Sequence, residues 1–145
     1  MIVLRLAGRH TDLSTVLIVE DEMIIALDLE QTLVAAGFAT LGPARSVEAA
    51  LPMIEKRNFD VALVDLELQG ALATAVVQRL RDLAIPFAFI TGFDREDLPE
   101  QFGSELVITK PWDPVDLVDT VGRLCSRAHR PPTGLRNRGC SCDDR

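Results

Sequence analysis

The chain lacks several features that would assign it to particular classes of protein. Its 145 residues carry a net charge of −7, and this argues against a nucleic-acid-binding domain, because phosphate binding needs a basic surface. No apolar run approaches the roughly 20 residues of a membrane-spanning helix. Residues 1–7 are apolar, but Arg5 interrupts them and no basic region precedes them, so no signal peptide is expected. We therefore expect a soluble, cytoplasmic protein with neither a nucleic-acid nor a membrane partner.

Cysteine and histidine are also scarce. The three cysteines, Cys125, Cys140 and Cys142, are odd in number, which argues against a disulfide framework and favours a reducing compartment. Cys140 and Cys142 alone would make a weak metal site, because no further ligands accompany them. The two histidines, His10 and His129, lie outside the predicted strand ends, and we expect them to be solvated.

Short apolar segments, by contrast, recur along the chain and alternate with segments of helical spacing. Five such strands alternating with five helices predict an α/β fold, in which a parallel sheet is covered on both faces through right-handed crossovers. The predicted strands are residues 15–19, 38–42, 59–65, 86–91 and 105–110, and the helices that follow them are residues 22–36, 46–54, 72–83, 93–102 and 113–129.

Individual residues refine these boundaries. Ile24, Leu27 and Val34 recur near helical spacing in the first helix, and Leu72 begins the apolar stripe of the third helix. Pro43 should end the second strand, because proline cannot donate a ladder hydrogen bond.

Two helix caps and one proline refine the predictions for the second, fourth and fifth helices. Ser46 is a suitable N-cap for the second helix, and Asp113 for the fifth. Pro99 weakens the fourth helix, which we expect to be short or mobile. Residues 1–14 form an N-terminal extension, residues 15–129 one domain, and residues 130–145 a tail without apolar periodicity that is expected to be disordered.

Polar residues collect at the predicted ends of the strands. Glu20 and Asp21 follow the first strand, Asp65 ends the third, Thr91 ends the fourth and Lys110 ends the fifth. With the strand order 2-1-3-4-5 of a flavodoxin-like, doubly wound sheet, the first and third strands are neighbours and the connections reverse between them. The two acids and Asp65 should then converge at this edge, with the threonine and the lysine beside them.

Such a group has a defined chemistry. Carboxylate oxygens at close range suit Mg²⁺, with Asp21 as the main ligand and Glu20 as a second ligand or one acting through water. A carboxylate can also attack a phosphoryl group and form an acyl phosphate, and Asp65 is the best candidate because it stands alone on the central strand. Lys110 would provide the opposing positive charge, and the hydroxyl of Thr91 could bind the transferred phosphate.

Four segments in this order resemble the receiver domain of bacterial two-component response regulators. They are residues 16–22 (Val-Leu-Ile-Val-Glu-Asp-Glu), 60–68 (Asp-Val-Ala-Leu-Val-Asp-Leu-Glu-Leu), 89–92 (Phe-Ile-Thr-Gly) and 110–111 (Lys-Pro). The resemblance covers residues 15–128, which is nearly the whole chain.

The resemblance implies a role for each matching residue. Asp65 would accept a phosphoryl group from the phosphohistidine of a sensor histidine kinase or a phosphotransfer protein. Asp21 and Asp65 would bind Mg²⁺ together with the backbone carbonyl of Glu67. Thr91 would move toward the phosphate and Lys110 would pair with it. In this family a cis peptide bond typically precedes the proline after the lysine.

The chain also departs from the common receiver pattern. Val107 stands three positions before the lysine, where many receivers have an aromatic residue, and Gly92 follows the threonine in place of alanine. The run of residues 86–93 resembles a subgroup with a Phe-Ala-Thr-Gly-type motif, whose members often consist of a single domain. Glu67, two residues after Asp65, could affect the lifetime of the phosphoryl group.

The resulting functional hypothesis is a single-domain response regulator that signals by phosphorylation-dependent binding to an effector protein. It would perform no enzymatic reaction beyond its own phosphorylation and dephosphorylation. One alternative is a phosphate sink or shuttle in a phosphorelay, and another is a pure interaction module. A third is a phosphatase of the haloacid dehalogenase type, because Asp65-Leu-Glu67 loosely resembles its Asp-x-Asp motif, although that motif normally follows the first strand.

Overall fold

The computed structural model describes residues 14–92, 96, 98–102 and 105–128. Within these residues, seven strands, four α-helices and a short 3-10 helix follow one another along the chain. They are β1 (Thr15–Val19), α1 (Met23–Ala35), β2 (Ala39–Ala44), α2 (Val47–Lys56), β3 (Val61–Asp65), β4 (Glu67–Leu68), β5 (Ala71–Leu72), α3 (Thr74–Asp82), β6 (Phe87–Thr91), the 3-10 helix (Glu100–Phe102), β7 (Leu106–Thr109) and α4 (Pro114–Ala128).

The main sheet has five parallel strands in the order β2-β1-β3-β6-β7. These are the five predicted strands in the order 2-1-3-4-5, so the flavodoxin-like, doubly wound fold is confirmed. Val16 pairs with Val61, and Val64 pairs with Phe89, which fixes β3 between β1 and β6. All strand ends that carry the polar residues therefore lie at one edge of the sheet.

The core has two halves because successive strand residues point to opposite faces of the sheet. Val16 and Ile18 pack on the face covered by α1 and α4. Leu17 and Val19 pack on the face covered by α2 and α3. Burial on both faces explains why these strands read as continuous apolar runs rather than as alternating ones.

Both ends of the described domain lie at the edge of the sheet opposite the polar strand ends. The backbone N–H of Thr15, at the start of β1, donates to Oδ2 of Asp60 at 2.8 Å. Ala128, at the end of α4, lines a cleft with Phe59 and the same Asp60. The chain therefore enters and leaves the domain far from the ends of β1 and β3.

The apolar residues that recur near helical spacing in the first helix face solvent instead of the sheet. Ile24, Leu27 and Val34 are 84%, 50% and 53% exposed. Because α1 carries apolar residues on more than one side, the helical period alone could not identify the packed side. The residues that pack on the sheet are Ala26, Leu29 and Leu33.

The second strand continues through Pro43 instead of ending there, so that prediction was wrong. β2 is an edge strand, where proline is tolerated, and its pairing with β1 shifts between Leu17 and Val19. The Gly42–Pro43 peptide is cis. A Cβ atom on Gly42 would lie 2.8 Å from the carbonyl oxygen of Ile18, so the shifted pairing needs glycine at this position.

The third helix begins later than predicted. Leu72 lies in β5 and not in α3, which starts at Thr74. β4 and β5 form an antiparallel hairpin whose two turn residues, Gln69 and Gly70, both have positive φ angles of 53° and 81°. This pattern is typical of the tight turns of two-residue hairpins.

Where the fourth helix was predicted, the described residues form a 3-10 helix over Glu100–Phe102. Residues 93–95 and 97 of that region lie outside the described part of the chain. Phe102 is buried and packs edge to face against Phe89, with ring centres 5.2 Å apart. The guanidinium of Arg81 stands 5.9 Å from the centre of the same ring.

Both predicted helix caps are present. The hydroxyl of Ser46 accepts from the N–H of Ala49, and Oδ1 of Asp113 accepts from the N–H of Val115. The predictions for the N-terminal extension, apart from Ser14, and for residues 129–145 concern residues outside the described part. Among the helices that the structure describes, none is long and apolar enough to cross a membrane.

We predict that Phe102→Ala lowers the free energy of unfolding by about 3 kcal/mol or more, because it removes a buried ring and its contacts with Phe89. Urea denaturation measures this change. The neighbouring Gln101→Ala, at an exposed position, serves as the control and should change stability by less than about 0.5 kcal/mol. Equal stabilities of the two variants would contradict the packing role of Phe102.

Candidate functional site

Three carboxylates meet where the neighbouring strands β1 and β3 end. Glu20 and Asp21 follow Val19 directly, and Asp65 is the last residue of β3. Each of the three offers one carboxylate oxygen that lies within 4.8 Å of the oxygens of the other two. The connections reverse between these strands, so the acids lie at the switch point of the sheet, as expected.

Lys110 reaches this cluster from the end of β7. Its Nζ lies 3.1 Å from Oδ2 of Asp65 and 3.2 Å from Oε1 of Glu20. Its backbone N–H donates to the carbonyl oxygen of Thr91 at 2.7 Å, which fixes the chain that carries it beside β6. The Lys110–Pro111 peptide is cis, in agreement with the expectation from the resemblance.

Thr91 ends β6, between the strands that carry Asp65 and Lys110. It is 2% exposed. Asp65 pairs with Ile90, so Thr91 lies one residue further along toward the same edge of the sheet. The structure therefore brings the predicted threonine to the border of the acidic cluster.

Glu20 is the most deeply buried of the three acids, with no exposed surface. Its Oε2 accepts from the N–H of Glu22 at 3.2 Å, whereas its Oε1 has no hydrogen-bond partner. The contact between this Oε1 and Lys110 is an ion pair without hydrogen-bond geometry. Burial, followed by the interaction with Asp65, raises the pKa of Glu20 from 4.5 to about 7.

Lys110 keeps its positive charge beside these carboxylates. Burial opposes the charged form, but attraction to Asp65 and then to Glu20 outweighs it and raises the pKa of Lys110. One ammonium group thus faces three carboxylates, and the cluster keeps an excess of negative charge that favours a bound cation.

Backbone and side-chain donors from other elements complete the cluster. The N–H of Glu67 donates to Oδ1 of Asp65 at 3.1 Å, while the rest of Glu67 is exposed. The N–H of Gln69 donates to Oδ2 of Asp21 at 2.8 Å, and Nη2 of Arg45 donates to the carbonyl oxygen of Asp21 at 3.3 Å.

Sequence reasoning did not find Arg45 and Gln69. The Gln-Gly pair at 69–70 could have suggested a tight turn close to the site, since glycine favours positive φ. Nothing in the sequence identifies Arg45, because its contact to Asp21 depends on the tertiary packing of the loop after β2 against the loop after β1.

The donor set fits a hard divalent cation. All candidate ligand atoms are carboxylate oxygens, which Mg²⁺ prefers, and Asp21 is only half-buried, so bound water could complete an octahedral shell.

Comparison with known proteins agrees with this geometry. The response regulator receiver domain family matches residues 16–122. The phyllosphere-induced regulator PhyR of Methylorubrum extorquens is 32% identical over 118 residues, which cover 77% of this chain and 44% of PhyR. The regulatory protein VanR of Enterococcus faecium is 32% identical over 110 residues, covering 73% of this chain and 47% of VanR.

A solved structure gives the same result. The solution structure of SdrG from Sphingomonas melonis Fr1 matches with a TM-score of 0.69 and 32% identity, covering 77% of this chain and 96% of SdrG. The chain therefore belongs to the response regulator receiver domain family, whose members act in two-component systems. It spans about half the length of the curated relatives named above.

Family membership carries general properties. Receiver domains bind Mg²⁺ at an acidic pocket and interact with histidine kinases or phosphotransfer proteins and with effectors. The phosphatase alternative loses its main support, because the Asp65-Leu-Glu67 sequence lies in a matched receiver domain. The roles of the individual residues remain predictions.

We predict that Glu20→Gln changes how stability depends on pH in Mg²⁺-free buffer. The folded protein binds the Glu20 proton more tightly than the unfolded chain does, so the free energy of unfolding should fall as pH rises from about 4.5 to about 7. The glutamine variant lacks this proton and should gain on the order of 1–3 kcal/mol relative to the wild type between pH 5 and pH 8.

Denaturation curves at the two pH values measure this gain. The exposed neighbour provides a matched control, since Glu22→Gln removes a carboxylate that is not buried and should leave the pH profile close to that of the wild type. Parallel profiles for Glu20→Gln and the wild type would show that Glu20 does not titrate as described.

Proposed function

We propose that this protein is a response regulator that receives a phosphoryl group on Asp65 from a phosphohistidine of a sensor histidine kinase or phosphotransfer protein. The observation that supports this best is the environment of the Asp65 carboxylate. Its Oδ2 contacts the Lys110 ammonium and its Oδ1 accepts the N–H of Glu67, while two further acids stand within ligand distance of one cation.

The transfer follows from this geometry. One carboxylate oxygen of Asp65 attacks phosphorus and forms a C–O–P linkage, while the P–N bond to the donor histidine breaks and its electron pair stays on the imidazole nitrogen. The ammonium of Lys110 lies where it can balance the charge on the phosphoryl oxygens. Later attack of water on phosphorus releases inorganic phosphate and restores the carboxylate.

Asp21 and Asp65, together with the backbone carbonyl of Glu67, would hold Mg²⁺, and Glu20 would act through water. The bound ion would neutralise charge on the phosphoryl oxygens. The side chain of Glu67 is exposed beside Asp65. It could therefore affect how quickly water reaches the acyl phosphate.

Thr91 would bind the phosphoryl oxygens through its hydroxyl. Its position next to the pairing partner of Asp65 supports this role. Many receivers couple the movement of this threonine to an aromatic residue. Here Val107 occupies the corresponding position on β7, so we propose no such coupling. We assign the chain instead to the subgroup with the Phe-Ala-Thr-Gly-type motif, on the basis of residues 86–93.

Signalling would proceed by phosphorylation-dependent binding to an effector protein, with no enzymatic reaction beyond self-phosphorylation and autodephosphorylation. The surface formed by the 3-10 helix, β7 and the first half of α4 is the proposed effector surface, because it adjoins both Thr91 and Lys110. We propose the cytoplasm as the place where this signalling occurs.

The phosphoryl donor would dock along α1. The exposed apolar stripe of this helix begins at Ile24, three residues after Asp21, and continues through Leu27 to Val34. A partner that covers this stripe would bury apolar surface while its histidine faces the acidic cluster.

We predict that incubation with a small acyl phosphate and Mg²⁺ adds one phosphoryl group and that Asp65→Asn abolishes this addition. Intact-protein mass spectrometry measures the label. Asp60→Asn is the matched control, because Asp60 precedes the same strand at the opposite edge of the sheet and asparagine can still accept the N–H of Thr15. Equal labelling of Asp65→Asn and the wild type would refute the proposed acceptor.

We also predict that Asp21→Asn weakens Mg²⁺ affinity by at least about tenfold, because an amide oxygen replaces a charged ligand. The chain has one tryptophan and no tyrosine, and Trp112 lines a cleft with Lys110, so its fluorescence can follow the titration. Glu22→Gln, which neutralises the adjacent exposed acid, should bind Mg²⁺ nearly as tightly as the wild type. Unchanged affinity in Asp21→Asn would place the metal elsewhere.

A further inference from the structure

The β4–β5 hairpin lies beside the acidic cluster and contacts two of its acids. The N–H of Gln69 donates to Oδ2 of Asp21 at 2.8 Å, a bond between residues 48 positions apart in the chain. At the base of the hairpin the N–H of Glu67 donates to Oδ1 of Asp65 at 3.1 Å. The hairpin therefore supplies one backbone donor to each of these carboxylates.

The hairpin is firmly attached to the core. Leu68 is 3% exposed and packs with residues of α2 and α3, and Leu66, just before the hairpin, is fully buried. The N–H of Ala73 donates to the carbonyl oxygen of Leu66 at 2.7 Å and closes the base. A donor at the tip of this element therefore has a fixed position relative to β3.

The turn determines the position of the Gln69 N–H. Gln69 and Gly70 have φ angles of 53° and 81°, both in the region that disfavours residues with a Cβ atom. This two-residue turn is short, so the tip cannot shift much without breaking the β4–β5 pairing of Glu67 with Leu72. Glycine at position 70 makes the conformation accessible.

Of the three acids, Asp21 is the one whose side chain is least constrained by the rest of the fold. Glu20 is fully buried and Asp65 belongs to a central strand, whereas Asp21 lies half-buried in the loop between β1 and α1. Repulsion from the other two carboxylates favours rotation of its side chain away from the cluster. A hydrogen bond from an N–H to a carboxylate offsets part of this repulsion.

We propose that the β4–β5 hairpin is the positioning element of the acidic pocket and that the N–H of Gln69 holds the carboxylate of Asp21 toward Asp65. The hairpin does not itself bind the metal in this role. One N–H occupies one of about four acceptor positions of the carboxylate, so Oδ1 and the rest of Oδ2 stay available. The effect on Mg²⁺ rests on the proposed function of Asp21, but the hydrogen bond does not.

The first experiment compares Gly70→Ala with Gly37→Ala in the otherwise unchanged chain. Both glycines have positive φ, 81° and 101°, and a Cβ atom on either would meet no other atom within 4 Å. The substitutions therefore introduce similar backbone strain, but only Gly70 belongs to the hairpin. We expect Gly70→Ala to weaken Mg²⁺ affinity about 3- to 30-fold, and Gly37→Ala to leave it within about twofold.

The second experiment measures hydrogen exchange of the Gln69 amide without metal. Asp21→Ala removes the acceptor and should speed this exchange about tenfold or more, whereas Asp21→Asn keeps an acceptor oxygen and should preserve most of the protection. Gln69 exchange unaffected by Asp21→Ala would overturn the proposal, as would equal Mg²⁺ affinity of the two glycine variants. If the wild type bound no Mg²⁺ while Asp21→Ala still accelerated exchange, the proposed function would fail and the positioning bond would stand.

Discussion

Repulsion among three carboxylates at the ends of two adjacent strands is the constraint on which the site depends. Glu20, Asp21 and Asp65 are brought within ligand distance by the pairing of β1 with β3, and this pairing is stabilised by apolar burial on both faces of the sheet. The fold thus holds together charges that would otherwise separate. Lys110 and the backbone N–H groups of residues 22, 67 and 69 offset the repulsion only in part.

Much of the fold could be predicted because the strands are buried on both faces and read as unbroken apolar runs. The same logic located the acids, since strand ends in a parallel sheet share one edge and the switch point follows from the strand order. Asp65 and Lys110 are far apart in sequence, yet the parallel direction of the strands predicted that they would lie at the same edge. Ser46 and Asp113 were recognisable as caps because their side chains act locally.

The features that could not be predicted depend on contacts between distant parts of the chain. Leu72 fits a helical stripe, but the positive φ angles at Gln69 and Gly70 turn the chain back into a hairpin. Pro43 would end a central strand, and β2 tolerates it because it lies at the edge. Ile24, Leu27 and Val34 recur near helical spacing in α1, yet they face solvent. The hydrogen bonds from Gln69 and Arg45 to Asp21 join residues far apart in the chain, so the sequence could not predict them.

The place where the chain enters β1 and leaves α4 has a consequence for how such a domain can be combined with others. Thr15 and Ala128 both lie near Asp60, at the edge of the sheet opposite the acidic cluster. A domain joined on this side of the sheet would be attached at a distance from the carboxylate of Asp65. The architecture therefore permits fusion to other domains without changes to the edge of the sheet that carries the acidic cluster.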